Sequence, residues 1–162
     1  MASSPTTAPT SKSLSQTGFG FAWLALCGAF ALHIVDETAT GFLHVWNPTV
    51  LAIRARHPWS PLPTWEFAPW LTGLILGVVV LTALSPFAFR NARWIRPLAY
   101  FCAVVMFLNG IGHTAGTIAG RTVSGLHFPR PMPGFYSSPF LFATSVYLLI
   151  SLRRTANVHL KN

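Results

Sequence analysis

Four apolar runs divide the chain: about Gly18 to Leu43, Glu66 to Phe89, Ile95 to about Ala119, and Pro139 to Leu152. At about 1.5 Å rise per helical residue, each of the first three can cross a hydrocarbon core of about 30 Å. Pro69 and Pro97 fall in first turns, where proline is tolerated, and Pro86 predicts a kink near the end of the second run. The fourth run rises only about 20 Å. It is therefore expected to start part-way through the membrane, with Ser138 as its N-cap and Pro139 at the first helical position. The segment before it, Pro133 to Ser137, is expected to enter the membrane as irregular backbone, which is tolerated where protein buries it or a watery cavity meets it.

The connections follow by subtraction. Residues 44–65 carry Pro48, Pro58, Pro61 and Pro63 and read as a loop. A short turn holds Arg90, Arg93 and Arg96, and a second long loop covers residues 120–138. Residues 1–17, rich in Ser, Thr, Pro and Ala without apolar period, read as a disordered tail, and 155–162 as a C-terminal tail. The predicted fold is all-α: an integral membrane bundle of four transmembrane helices over residues 18–154, with a re-entrant-like segment before the last helix.

Composition strengthens this picture. Charged residues make up 9% of the chain and hydrophobic ones 52%, with a mean hydropathy of +0.50; soluble domains carry about 25% charged residues. The net charge of +8 would point to nucleic acid in a soluble protein. Here the basic residues stand at the ends of apolar runs and no basic-aromatic module is visible, so membrane lipids are the expected partners and nucleic acid is not. With the N-terminus inside, Lys12, Arg90, Arg93, Arg96, Arg153, Arg154 and Lys161 share its side, against Arg54, Arg56, Arg121 and Arg130 opposite. The positive-inside rule then puts both termini in the cytoplasm, in the cell membrane. Ala29-Phe30-Ala31 has the form of a signal-peptidase site, but the apolar run is too long and the preceding basic region too weak for a signal peptide. Cys27 and Cys102 lie inside spans and read as packing residues.

Two of the chain's three acidic residues stand together in the first run, in His33-Ile34-Val35-Asp36-Glu37. His33 and Glu37, spaced i, i+4, share a helical face with Asp36 beside them, and Thr40 and His44 continue the stripe. On the third run Asn109, His113 and Thr117 form a second stripe. His33 lies roughly 22 Å and His113 roughly 25 Å from the same boundary by helical rise. Ionisable groups in a membrane turn to the bundle interior, a cavity or one another, so the two stripes are expected to face each other. The start of the fourth helix should point its positive end at a carboxylate or an anionic ligand.

With these residues assembled, His33-Ile34-Val35-Asp36-Glu37, Asn109-Gly110-Ile111-Gly112-His113 and Pro133-Gly134-Phe135-Tyr136-Ser137 resemble the three signatures of the HXXEE family: H-x-x-E-E, N-x-x-x-H and P-G-x-x-T. That family comprises small, largely bacterial multi-pass membrane proteins without an established function. The resemblance covers about residues 20–152. Asp36 replaces a glutamate and Ser137 a threonine, which keeps a carboxylate and a hydroxyl but shortens the first carboxylate's reach.

Three chemistries suit the cluster. His33, Glu37 and His113, with Asp36 or Asn109, supply nitrogen and oxygen ligands fit for a divalent metal such as zinc or iron. Without metal, adjacent carboxylates near imidazoles could serve as general acid and base on a lipid-like substrate, with Asn109, Ser137 and the last helix's N-terminus stabilising negative charge. The non-enzymatic alternative is a proton relay or a small transporter or carrier. Gly134 and Ser137 are expected to shape the mouth of the site. The remaining residues have structural readings: Glu66 at a helix start, the tryptophans as an interfacial belt, Tyr100 and Tyr147 in packing, His57, His127 and His159 in solvent, and Gly73 with Gly77 as a G-x-x-x-G helix contact.

Overall fold

The computed structural model describes residues 11–160, with the side chains of residues 18–154. Six helices form among them: α1 (Ser11–Thr40), α2 (Leu43–Arg56), α3 (Phe67–Ala83), α4 (Ser85–Phe89), α5 (Ile95–Ala119) and α6 (Ser138–Leu160). No strand forms among the described residues, where the sole β pairing is an isolated bridge between Arg121 and His127. Three segments are long and apolar enough to cross a membrane: Gly18–Thr40, Phe67–Phe89 and Ile95–Ala119. The fold is that of an all-helical membrane protein.

Several boundaries differ from the sequence reading. Helix α1 begins at Ser11, inside the stretch read as a tail; residues 1–10 lie outside the described ones, as do 161–162. Helix α6 continues past Leu152 to Leu160. The second span breaks between Ala83 and Ser85, where Pro86 opens α4. The largest correction concerns the loop read over 44–65, because its first half is helix α2. Three of the four prolines in that stretch fall after α2 ends, and Pro48 stands inside it at the cost of one backbone hydrogen bond. Proline density concealed a helix that no single proline forbids.

The chain reverses into α2 through a glycine. Gly41 has φ +76°, and Phe42 N–H donates to Glu37 O at 2.9 Å, which is the Schellman closure of a helix ending at Thr40. The end of α5 is handled similarly, with Gly120 at φ +65° donating to Gly116 O at 2.8 Å.

Helix α1 is the spine of the bundle, packed against α3, α4 and α6, while α6 also packs along α5. The core holds Phe19, Trp23, Ile95, Ala103 and Leu148, with both free cysteines, Cys27 and Cys102, among them. Trp23 is interior rather than part of a belt, and its indole N–H donates to Leu81 O at 2.9 Å. Helices α1 and α5 touch each other directly at few points. The start of α6 comes against α5 at Gly110, where a Cβ would approach Ser138 O to 3.2 Å. Among the described residues helix α2 makes few close backbone approaches to the other helices, though its Thr49 and Val50 are buried. It is strapped to the segment that follows it: Trp46 Nε1 donates to Pro63 O at 3.0 Å, and Asn47 exchanges hydrogen bonds with the Trp65 backbone at 2.9 and 3.0 Å. Gly73 is open, with nothing near an added Cβ, and Gly77 only grazes Phe30, so the G-x-x-x-G pair makes no close helix contact among the described residues.

Candidate metal centre

The i, i+4 spacing on α1 puts His33 and Glu37 on one buried face, and α5 brings His113 against them. His33 Nε2 lies 3.3 Å from Glu37 Oε1, and His113 Nε2 lies 3.2 Å from the same oxygen. The two imidazole centroids are 4.8 Å apart, edge to face. All three side chains are buried, His33 completely. One potential ligand atom from each residue falls within 4.8 Å of the others.

Asp36 is not part of that triad. Its Oδ2 accepts two hydrogen bonds from Ser137, one from the backbone N–H and one from the hydroxyl, both 2.8 Å. Ser137 Oγ lies 2.7 Å from His33 Nδ1. A hydroxyl has one proton to give, and the carboxylate is its strongest acceptor. With that proton on the Asp36 side, Ser137 Oγ accepts from His33 Nδ1–H. His33 Nε2 then presents its lone pair toward Glu37 Oε1, and it is a buried nitrogen without a hydrogen bond among the described residues. Two lone-pair atoms at 3.3 Å in a buried site repel each other unless a cation or a proton lies between them.

This is the arrangement of a supported metal ligand, whose second ring nitrogen donates to an oriented acceptor. Asp36, one methylene shorter than glutamate, meets Ser137 and not the triad, and would orient His33 through that hydroxyl. His113 lacks such support, since its Nδ1 is buried without a hydrogen-bond partner among the described residues.

The segment before α6 closes the site from the side. Gly134 has φ +84°, and a Cβ there would come within 2.7 Å of His113 Cε1 and 2.9 Å of His33 Cε1. Thr40 accepts the Gly134 N–H at 3.2 Å, and Thr117 accepts the Met132 N–H at 3.0 Å. Thr40 and Thr117, the outer members of the two stripes, therefore tie the irregular segment to α1 and α5. The cap of α6 sits one residue earlier than expected. The Ser137 carbonyl accepts from Phe140 and Leu141, while the Ser138 hydroxyl turns back to Gly134 O at 2.8 Å. The positive end of α6 does meet a carboxylate, that of Asp36.

The structure thus brings together His33, Glu37 and His113, with Asp36, Gly134 and Ser137 around them. Asn109 stands apart: it is half-buried one turn before His113, in the wall of a cleft between α5 and α2, with no hydrogen bond to the triad among the described residues. His44 is exposed on α2. Glu66 occupies the N-cap position of α3 without a side-chain cap bond. The sequence reading missed Phe42, whose ring lies 5.8 Å from His113 and covers the site. Thr40-Gly41-Phe42, a helix end followed by glycine and an apolar residue, was the available signal.

Ser137→Ala removes the acceptor for His33 Nδ1 and one of two donors to Asp36. Loss of such outer support lowers metal affinity about 10–100-fold. Chelator competition should show that loss, with affinity kept in Ser137→Thr; equal affinity in Ser137→Ala and the unmodified chain would refute the relay.

The fold and site define a class: an all-helical membrane protein with a buried two-histidine, one-carboxylate cluster able to hold a metal ion. Comparison with protein-family models, curated proteins and solved structures finds no match to this chain.

Proposed function

We propose that this chain is a small multi-pass membrane enzyme of the HXXEE type, built around a divalent metal ion, zinc or iron, held by His33, Glu37 and His113. The observation that carries the reading is the convergence of His33 Nε2 and His113 Nε2 on Glu37 Oε1 at 3.3 and 3.2 Å. Ligand atoms about 2.0–2.1 Å from a tetrahedral zinc lie about 3.3–3.4 Å apart, so those two spacings match edges of such a site. A metal ion there supplies Lewis-acid polarisation of a bound water or substrate oxygen. Around it, Glu37 offsets positive charge, Ser137 and Asp36 hold His33 in one tautomer, and Phe42 and the Gly134 segment keep water out. The substrate is lipid-like, reaching His113 from the adjoining cleft.

In the same reading α6 is the fourth membrane helix. Leu141, Ser145, Leu148 and Leu152 form its buried face, and Arg153 and Arg154 are exposed beyond it. It begins within the membrane, preceded by the re-entrant Pro133–Ser137 segment, and both termini are cytoplasmic in the cell membrane.

A second reading is favoured by the unbroken run of proton-carrying groups from Asp36 through Ser137, His33 and Glu37 to His113, which suits a proton relay or carrier. Elemental analysis of protein purified in mild detergent decides between them. Near-stoichiometric zinc or iron is expected. Metal-free protein that conducts protons in proteoliposomes, with the flux lost in Glu37→Gln, would replace the enzyme reading by the relay.

A further inference from the structure

Between α2 and α5 runs a cleft of about 440 Å³ that the triad does not fill. Its walls are Phe42 and Trp46 on one side, Asn109 and Gly116 on the other, with Met132 and Arg121 toward the loop end. His113 belongs to the same lining, so the cleft opens onto the candidate centre. Along α5 it reaches from Asn109 to Ala119, a rise of about 15 Å. At about 30 Å³ per heavy atom, the share of a liquid water, the cleft holds on the order of fifteen heavy atoms. That is room for one extended hydrocarbon chain.

The charge at the cleft is of one sign. Arg121 lines it, and residues 120–138 contain no acidic residue. The three carboxylates of the chain are elsewhere: Asp36 is bonded to Ser137, Glu37 faces the histidines, and Glu66 is at the start of α3. Among the described residues no arginine pairs with a carboxylate; the ion pairs there are the two histidine contacts of Glu37. A guanidinium at the end of an apolar slot complements an anionic head, for which arginine's paired donors are well suited.

We infer that the cleft between α2 and α5 binds a single-chain anionic amphiphile, a long-chain carboxylate, with its head at Arg121 and its chain lying past Met132 toward His113. That the bound chain is also the substrate rests on the metal-enzyme reading above; the binding itself does not. Helix α2, strapped to its own following segment, forms one wall of the cleft. Gly112 contributes an unfilled stretch of the opposite wall, with nothing within 4 Å of an added Cβ.

The test uses the full chain in mild detergent and tryptophan fluorescence, titrated with a dibrominated long-chain fatty acid and with the corresponding alcohol. The acid should quench saturably, with the saturable part lost in Trp46→Phe. Arg121→Gln should weaken the acid's apparent Kd by about 10-fold or more and leave the alcohol's unchanged. Gly112→Leu, whose Cβ meets no neighbour within 4 Å, should abolish saturable quenching while preserving the melting temperature. Non-saturable quenching, equal behaviour of acid and alcohol, or saturable quenching that survives Gly112→Leu would overturn the inference. So would equally effective competition by a neutral two-chain phosphatidylcholine, which would assign the cleft to bulk lipid. Metal content measured on the same samples separates the two ideas: metal present without saturable quenching refutes the amphiphile site alone, and quenching without metal refutes the metal centre alone.

Discussion

His33→Ala, His113→Ala and Glu37→Gln are each expected to bring bound zinc or iron from near one ion per chain to background, a loss of more than about 100-fold in affinity. The expectation exceeds the 10–100-fold typical of outer-shell changes, because each substitution deletes a donor atom or the compensating charge. Glu37→Gln is the most informative of the three. It keeps an oxygen at the position that both imidazoles face at 3.2–3.3 Å and removes the negative charge. His127 provides the control, since it is exposed in the 120–138 loop, and His127→Ala should retain the metal. Elemental analysis after detergent purification, with a melting curve on each variant to establish that it is folded, reads the result. Metal retained in folded Glu37→Gln and His33→Ala would end the assignment.

Gly134→Ala should cost on the order of 3 kcal/mol or more in stability. Two effects add. The left-handed conformation at φ +84° costs an L-residue about 1–2 kcal/mol. The new methyl would also lie 2.7 Å from His113 Cε1 and 2.9 Å from His33 Cε1, and overpacking of this kind costs about 1–3 kcal/mol. Gly125 isolates the first effect, because its φ of +82° is nearly the same and nothing lies within 4 Å of an added Cβ. Gly125→Ala should therefore lose only the conformational part. Reversible unfolding of both variants in detergent measures the difference, and equal losses would show that Gly134 is not pressed against the imidazoles. Gly134→Ala should also lower metal affinity, because relief of the overlap displaces one imidazole from Glu37.

Much of the candidate site is legible in the sequence. His33 and Glu37 are on one helical face whatever the tertiary fold, because i and i+4 always are. The similar depth of His33 and His113 followed from helical rise alone, since straight spans across the same membrane share a ruler. What was not readable was the division of labour between Asp36 and Glu37. Their side chains leave α1 in directions about 100° apart, and which of them meets His113 and which meets Ser137 depends on where α6 begins. Asn109 shows the opposite failure: it shares a helical stripe with His113, yet one turn along α5 is enough to put it in the cleft wall.

By itself, the sequence determined the helical class, the three long apolar spans and the three residues, His33, Glu37 and His113, that meet in the buried cluster. Charge is costly in an apolar segment, so Asp36 and Glu37 could hardly be placed there without polar company. Tertiary structure alone decided that residues 43–56 form helix α2, that Asp36 bonds to Ser137 beside His33, and that an apolar cleft between α2 and α5 leads to His113. The physical reason is range. Periodicity and hydropathy are set by residues within a few turns, whereas the Asp36 to Ser137 bonds join positions 101 residues apart, and such closures depend on how whole helices pack.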